Sequence, residues 1–427
     1  MKFNLLKQKD FLLLMLGKIV SLFGSEMQSF ALSLYVLKIT GSATQFAGIL
    51  SVTILPQIIL GPFVGVVVDW LDRKKIVVCL DMFNGLLIGV YAVMFFNTGK
   101  LTIVSIYVLA VILSMVSLMF QPAISTVIPS IMHKEEIPDA NAINSLVLSI
   151  GQLAAPTAAG ILFGFSGLGL ILIINSLSFV CSSISEMFIN IPKTAKNKES
   201  VNFKAFKNDF VEGVKFIKNQ KLIFAVMSLS LILNFAFTPM SSIGLAFVSK
   251  QLFKVSDYQY GIQESVLCVA MLISPLFISR IHEKFKSGRI MYYSVIIIGG
   301  IVTAAAVVTS KFYTGFFSSN LGPFISFTVL IFIVAFIVGI INVEFSIVAQ
   351  TEVPLELMGR VNTVCSSLSM GAMPLGQMLF GVLFDSIPTW TCYVITAVIF
   401  FVSVLLFRNK LIEDDTKENN SIADITE

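Results

Sequence analysis

Residues 61–75 read GPFVGVVVDWLDRKK. An apolar run ends in Asp69. Asp72, Arg73, Lys74 and Lys75 follow, and a new apolar run begins at Ile76. Two apolar stretches of spanning length are thus joined by a tight connector of acids and bases. Gly61 and Gly65, four residues apart, predict a smooth helix face that a neighbouring helix can approach closely. A carboxylate at such a helix end can accept hydrogen bonds from the exposed N–H groups that begin another helix, with the helix dipole assisting.

The rest of the chain repeats this alternation. Of the 427 residues 56% are hydrophobic and only 13% charged, and the mean hydropathy is +0.89. A soluble domain carries roughly 25% charged residues, and about 20 apolar residues suffice to cross a bilayer as a helix. The sequence predicts an all-α integral membrane protein with twelve spans, near 11–37, 43–68, 76–96, 102–128, 140–164, 169–191, 222–250, 258–282, 289–309, 324–350, 360–384 and 389–407. The first span is too long for a signal peptide and lacks a small-residue cleavage site, so it is read as retained. Counting loops from the N-terminus, 23 of the 29 basic residues lie on the N-terminal side of the membrane and five on the other, with Lys18 inside the first span. The positive-inside rule then predicts both termini in the cytosol of a multi-pass cytoplasmic-membrane protein. The net charge of +4 is read as topology, with no nucleic-acid partner.

Several classes are excluded. The five cysteines all fall in spans, none with Cys-x-x-Cys spacing, and neither His133 nor His282 lies near one; no metal site or disulfide is expected. No Gly-x-x-x-x-Gly-Lys-[Ser/Thr] loop occurs, so the chain has no nucleotide engine of its own. No Ser/His/acid set is spatially plausible, and the short connectors leave no room for a soluble catalytic domain. The chain is not expected to be an enzyme. A membrane-embedded enzyme or a non-transporting sensor is the rival reading.

The chain divides in two. Residues 1–191 and 222–410 are read as six-helix bundles. They are joined by 192–221, the only long polar interval between spans, and followed by a polar acidic tail, 411–427, expected to be disordered. Within the joining interval Phe203, Phe206, Phe210, Val214 and Ile217 recur at spacings of three or four, while Lys204, Lys207, Lys215 and Lys218 take other faces. This predicts a basic amphipathic helix lying on the cytosolic membrane surface. The halves also resemble each other: Asn144 and Pro156 match Asn362 and Pro374 at one offset, and Asp69 finds Glu283 in a degraded second copy of the charged turn.

The residues Gly65, Asp69, Arg73 and Lys74 carry a resemblance. They are similar to the Gly-x-x-x-Asp-x-x-x-Arg-[Lys/Arg] signature between helices 2 and 3 of the major facilitator superfamily. Ser29 to Val36, Thr40-Gly41-Ser42-Ala43, Gln121-Pro122-Ala123, Ile128-Pro129, Asp139 to Ala142, Val353-Pro354 and Gly359-Arg360-Val361 narrow it. They resemble the macrolide-efflux and siderophore-exporter branch, a bacterial drug:proton antiporter group. The likeness runs from about residue 5 to residue 408. Two positions depart from the branch: Gln121 stands where arginine is frequent, and Ser25 separates Gly24 from the acid Glu26.

The resemblance implies two pseudo-symmetric six-helix bundles, parallel repeats that rock about a substrate site near the membrane midplane. It also implies a cytosolic gate, in which Asp69 reaches the start of span 11 near Arg360 and Arg73 and Lys74 add contacts. Gly61, Gly65 and Asp81 are assigned to the same gate. Spans 1, 4, 7 and 10 would face the cavity.

Glu26, near the middle of span 1, is the sharpest candidate for coupling. An acid in hydrocarbon costs about 2.5–3.5 kcal/mol on insertion scales and normally faces an interior or water. It is expected to exchange a proton against outgoing substrate, with Gln28 and Ser29 as polar neighbours; the alternative is an ion pair with Lys18, two turns away. Gln121, Asn234, Asn342 and Glu344 would complete a sparsely polar cavity suited to an amphiphilic ligand, or would simply hold helices together. Glu186 and Glu264 sit nearer the interfaces. The resulting expectation is proton-coupled efflux of a macrolide-like small molecule, with a metallophore, a lysophospholipid or uptake by symport as alternatives. The partners are protons, lipids and the substrate, the proton gradient stands in place of any cofactor, and the monomer is expected to suffice.

Overall fold

A computed structural model of the chain describes residues 3–69, 72–190 and 203–412, less a few side chains inside the helices. The side chain of Asp69 and the surroundings of Gly65, both assigned to the gate, lie outside the described residues. So do residue 191, 192–202 of the joining interval and residues 413–427 of the expected tail. Almost every described residue is helical. The long helices are α1 (Lys9–Thr40), α2 (Ala43–Asp69), α3 (Arg73–Thr98), α4 (Ile103–Ser125), α5 (Ile137–Met187), α6 (Phe203–Asn219), α7 (Lys221–Leu252), α8 (Asp257–Ile273), α9 (Ser287–Val308), α10 (Leu321–Thr351), α11 (Leu355–Ser386) and α12 (Thr389–Ile412).

Among the described residues ten helices are long and apolar enough to cross a membrane. Two features separate that number from the expected twelve. Helix α1 is long enough at 32 residues, but Lys9, Asp10, Lys18, Glu26 and Lys38 dilute its apolar content. Helix α5 runs for 51 residues, about 76 Å at 1.5 Å per residue, more than twice a hydrocarbon core of about 30 Å. Gly167, at φ 69° and ψ −166°, interrupts it. Only glycine takes that backbone without steric cost, and it separates the fifth and sixth expected spans.

The helices are apolar on the outside. On α3, Phe83, Leu86, Val90, Val93 and Phe96 are exposed at spacings of three or four, while Asp81, Asn84 and Gly85 are buried. A helix that shows its phenylalanines and hides its aspartate belongs in lipid, where polar side chains turn toward the protein interior.

The chain forms two compact units, residues 1–41, 49–201 and 256–265 in one, and 42–48, 202–255 and 266–427 in the other. Each contains a short segment from the opposite half of the sequence. In the N-terminal unit, 256–265 is held by the Lys38–Asp257 ion pair at 2.8 Å and by stacking of Tyr260 on Phe30, centroids 5.9 Å apart. In the C-terminal unit Asp385, at the end of α11, accepts from Ser42 Oγ at 2.6 Å, Ala43 N at 2.7 Å and Thr44 N at 2.9 Å. A carboxylate from another helix thereby satisfies orphan donors of the first turn of α2.

The expected amphipathic helix is present as α6, but its described apolar side chains face protein. Ile217 is buried with Val353, Val361 and Val364, and Phe210 and Val214 pack against the same cluster. The adjoining apolar surface of α7 and α11 supplies the cover.

Candidate functional site

Sequence dictates the inner face of the second half of α5. Asn175, Ser178, Ser182 and Glu186 recur at spacings of three and four, so they form one polar stripe along a helix. All four are buried. Leu177, Ile184 and Phe188 on other faces are exposed. The stripe packs against α1. Gly24 of α1 makes room for it: a Cβ there would lie 2.3 Å from Asn175 Oδ1. With that approach open, Asn175 Nδ2 donates to Gln28 Oε1 at 2.8 Å, and Ser178 Oγ lies 3.0 Å from Asn175 Oδ1.

Beside this joint lies a cavity of about 290 Å³ within the N-terminal unit. Its polar lining includes Lys18, Glu26 and Gln28 of α1, Gln57 of α2, Asp81 and Asn84 of α3, Gln121 of α4 and Asn175 of α5, with several serine and threonine hydroxyls; Leu22, Leu32, Leu113, Phe120 and Phe179 supply apolar wall. Among these, Asn84 is buried and its Oδ1 has no hydrogen-bond partner. Glu26 is half-buried and makes no hydrogen bond or ion pair with any described residue. The rival pairing of Glu26 with Lys18 is not formed. Lys18 Nζ instead donates to Asn144 Oδ1 at 2.7 Å, which gives the repeated asparagine of the fifth span a specific partner. A carboxylate and several amides beside apolar wall can orient a ligand by a few polar contacts while burying its apolar surface.

Glu26, Gln28 and Gln121 share one cavity. Asp81 joins them there, which corrects its assignment to the gate. It is 1% exposed and hydrogen-bonds Ser182 of the polar stripe. Lys74, also assigned to the gate, donates to the Met187 carbonyl at 2.8 Å. Gly61 does not mediate a tight helix contact among the described residues, since a Cβ there would meet only Leu118 Cδ1 at 3.9 Å. Arg360 forms an ion pair with Glu212 of α6 at 2.6 Å, a partner that the gate assignment did not include.

Three candidates lie in the C-terminal unit. Asn234, in a π-helical stretch of α7, donates to its own Ser230 carbonyl at 2.9 Å. Asn342 is exposed. Glu344 is fully buried, 2.7 Å from His282 Nε2. The sequence weighed His282 only as a metal ligand beside a cysteine, and hydropathy alone held no signal for this pair. Glu264 accepts from Tyr260 at 2.7 Å within the N-terminal unit. Glu186, which the sequence placed nearer an interface, is buried at the end of the polar stripe. Its signal was the stripe itself, four polar residues at helical spacing in an otherwise apolar span.

Helices turned inside out, a charged turn between α2 and α3 and a polar cavity inside a membrane unit define a multi-pass membrane transporter. The family model described as transmembrane secretion effector matches residues 2–427, and the chain belongs to that family of the major facilitator superfamily. It is a transporter of small substrates and not an enzyme. Macrolide efflux protein A of Streptococcus pyogenes is 25% identical over 391 residues, covering 90% of this chain and 92% of that protein. The multidrug efflux pump Tap of Mycolicibacterium fortuitum is 23% identical, with coverage of 89% and 90%. Among solved structures, a bacterial homologue of the iron transporter ferroportin matches 94% of this chain and 98% of that one with a TM-score of 0.70 at 17% identity, a likeness of fold.

Proposed function

We propose that the protein exports an amphiphilic, macrolide-like small molecule across the cytoplasmic membrane in exchange for protons. Both termini face the cytosol, the monomer is the working unit, and the proton gradient is the only energy source. The observation that carries this reading is Glu26: a carboxylate without a partner among the described residues, on the wall of a cavity inside the N-terminal unit. An acid inside a membrane protein is costly and marks a functional site by default. The relatives named as macrolide and multidrug efflux proteins support the substrate class and the direction.

The test is transport in energised vesicles carrying the purified protein, with a macrolide and a panel of dyes, with and without an imposed proton gradient. Export should require the gradient, and Glu26→Gln should abolish gradient-driven export while the substrate still binds. Unchanged gradient-driven export by that variant would remove Glu26 from coupling. Accumulation of the substrate in the opposite sense would replace efflux with uptake, and selective movement of a siderophore-type metallophore or a lysophospholipid would replace the substrate class.

A further inference from the structure

Asp81 and Glu186 face each other from α3 and α5 and are 1% and 2% exposed. Ser182 stands between them. Its hydroxyl donates to Glu186 Oε1 at 3.4 Å and is also the hydrogen-bond partner of Asp81. The outer oxygens, Asp81 Oδ2 and Glu186 Oε2, have no hydrogen-bond partner among the described residues. The proton count at this cluster does not close if both acids are ionised. Two carboxylates are acceptors only, and a serine has one proton to give. One of the two contacts to Ser182 Oγ would then set acceptor against acceptor in a buried place. With one added proton every contact has a donor. Asp81 as a carboxylic acid donates to Ser182 Oγ, and Ser182 donates to the Glu186 carboxylate.

Neither acid forms an ion pair with a described residue. Helix α1 presents Lys18 and Glu26, but the Lys18 ammonium is taken by Asn144 and Glu26 is a further acid. Lys74, at the start of α3, is taken by the Met187 carbonyl. Helix α4 contributes Tyr107 as its one titratable side chain. Two like charges at close quarters, away from water and without a counter-ion, retain a proton between them. Asp81 also lines the cavity that holds Glu26, so the pair has a route to exchange.

We propose that Asp81, Ser182 and Glu186 form a proton-holding site that binds a single proton between the two carboxylates and exchanges it with the cavity through Asp81. Movement along the site is a relay: Asp81 passes its proton to Ser182 Oγ as Ser182 passes its own to Glu186, and no other atom changes partner. Occupancy by a proton stands on this geometry alone. Its use in coupling rests on the reading of proton-driven export given above.

Infrared difference spectroscopy on the full chain reconstituted in liposomes, stepped between acid and alkaline pH, tests the site. The protonated-carboxyl stretch should be present in the wild type at neutral pH. It should lose the amplitude of one carboxyl in Asp81→Asn and again in Glu186→Gln. Ser182→Ala, which keeps both acids, should keep the amplitude but shift the band and its titration midpoint. Wild-type amplitude in both carboxylate variants, or no effect of Ser182→Ala on band or midpoint, overturns the proposal. Monodispersity and thermal melting of each variant are followed alongside; if one carboxylate variant does not fold, the other and Ser182→Ala decide. Export in the same liposomes separates the two readings. Gradient-independent export with the expected spectra sinks proton coupling and leaves the site. Gradient-driven export with unchanged spectra sinks the site and leaves coupling.

Discussion

Asn175 Nδ2 donates to Gln28 Oε1 at 2.8 Å, joining two fully buried amides of α5 and α1 at the edge of the cavity. This bond is the pin of the N-terminal unit's polar interior. Truncating one partner leaves the other unsatisfied, at a cost of about 1–3 kcal/mol. Gln28→Leu should lower the melting temperature in detergent. Adding Asn175→Leu should cost less than the sum of the two single changes, because the orphaned amide is removed.

Gly24 sets the approach that makes this bond available. Gly24→Ala places a methyl 2.3 Å from Asn175 Oδ1, and the side chain must leave its position. Overpacking of this kind costs typically about 1–3 kcal/mol. The melting temperature should fall, and substrate affinity should fall with it because Asn175 lines the same cavity. A melting temperature equal to wild type would show that the helices part without penalty.

Asp385 holds the first turn of α2 through Ser42, Ala43 and Thr44. Asp385→Ala removes every one of these acceptors and should destabilise by about 0.5–2 kcal/mol, the range of a lost helix cap. Asp385→Asn keeps one acceptor oxygen and should fall between. Hydrogen exchange of the amides of residues 43–46 reads this directly, and protection unchanged in Asp385→Ala would contradict it.

The Arg360–Glu212 pair is partly exposed on both sides, and such pairs contribute about 0–1 kcal/mol. Glu212→Ala should therefore change stability little, since α6 is held mainly by Ile217, Phe210 and Val214. Ile217→Ala should loosen α6 much more, seen as faster hydrogen exchange along 210–219. The reverse order would make the ion pair the anchor.

How far the sequence speaks depends on the range of the signal. Membrane character, helix limits and the charged turn are local, and they are legible in composition and spacing. The placement of Glu26, Gln28 and Gln121 on one cavity follows from the order of helices that the family resemblance supplies. The partners of long polar side chains are not local. Lys18 lies two turns from Glu26 but bonds to Asn144, 126 positions away. Asp81 sits near a basic turn in the sequence, yet the rotation of α3 directs it inward to Ser182. Helix α6 is amphipathic by spacing alone, and spacing cannot tell whether the apolar side meets lipid or Val361 and Val364.

The exchange of segments 42–48 and 256–265 between the units bears on how the chain matures. The N-terminal unit lacks its last piece until residue 265 has been synthesised, about sixty residues after residue 201. At translation rates of about 5–20 residues per second that is a wait of several seconds. During it, Tyr260 has yet to reach Phe30, and the nascent unit sits in the bilayer with one flank open to lipid or to the insertion machinery.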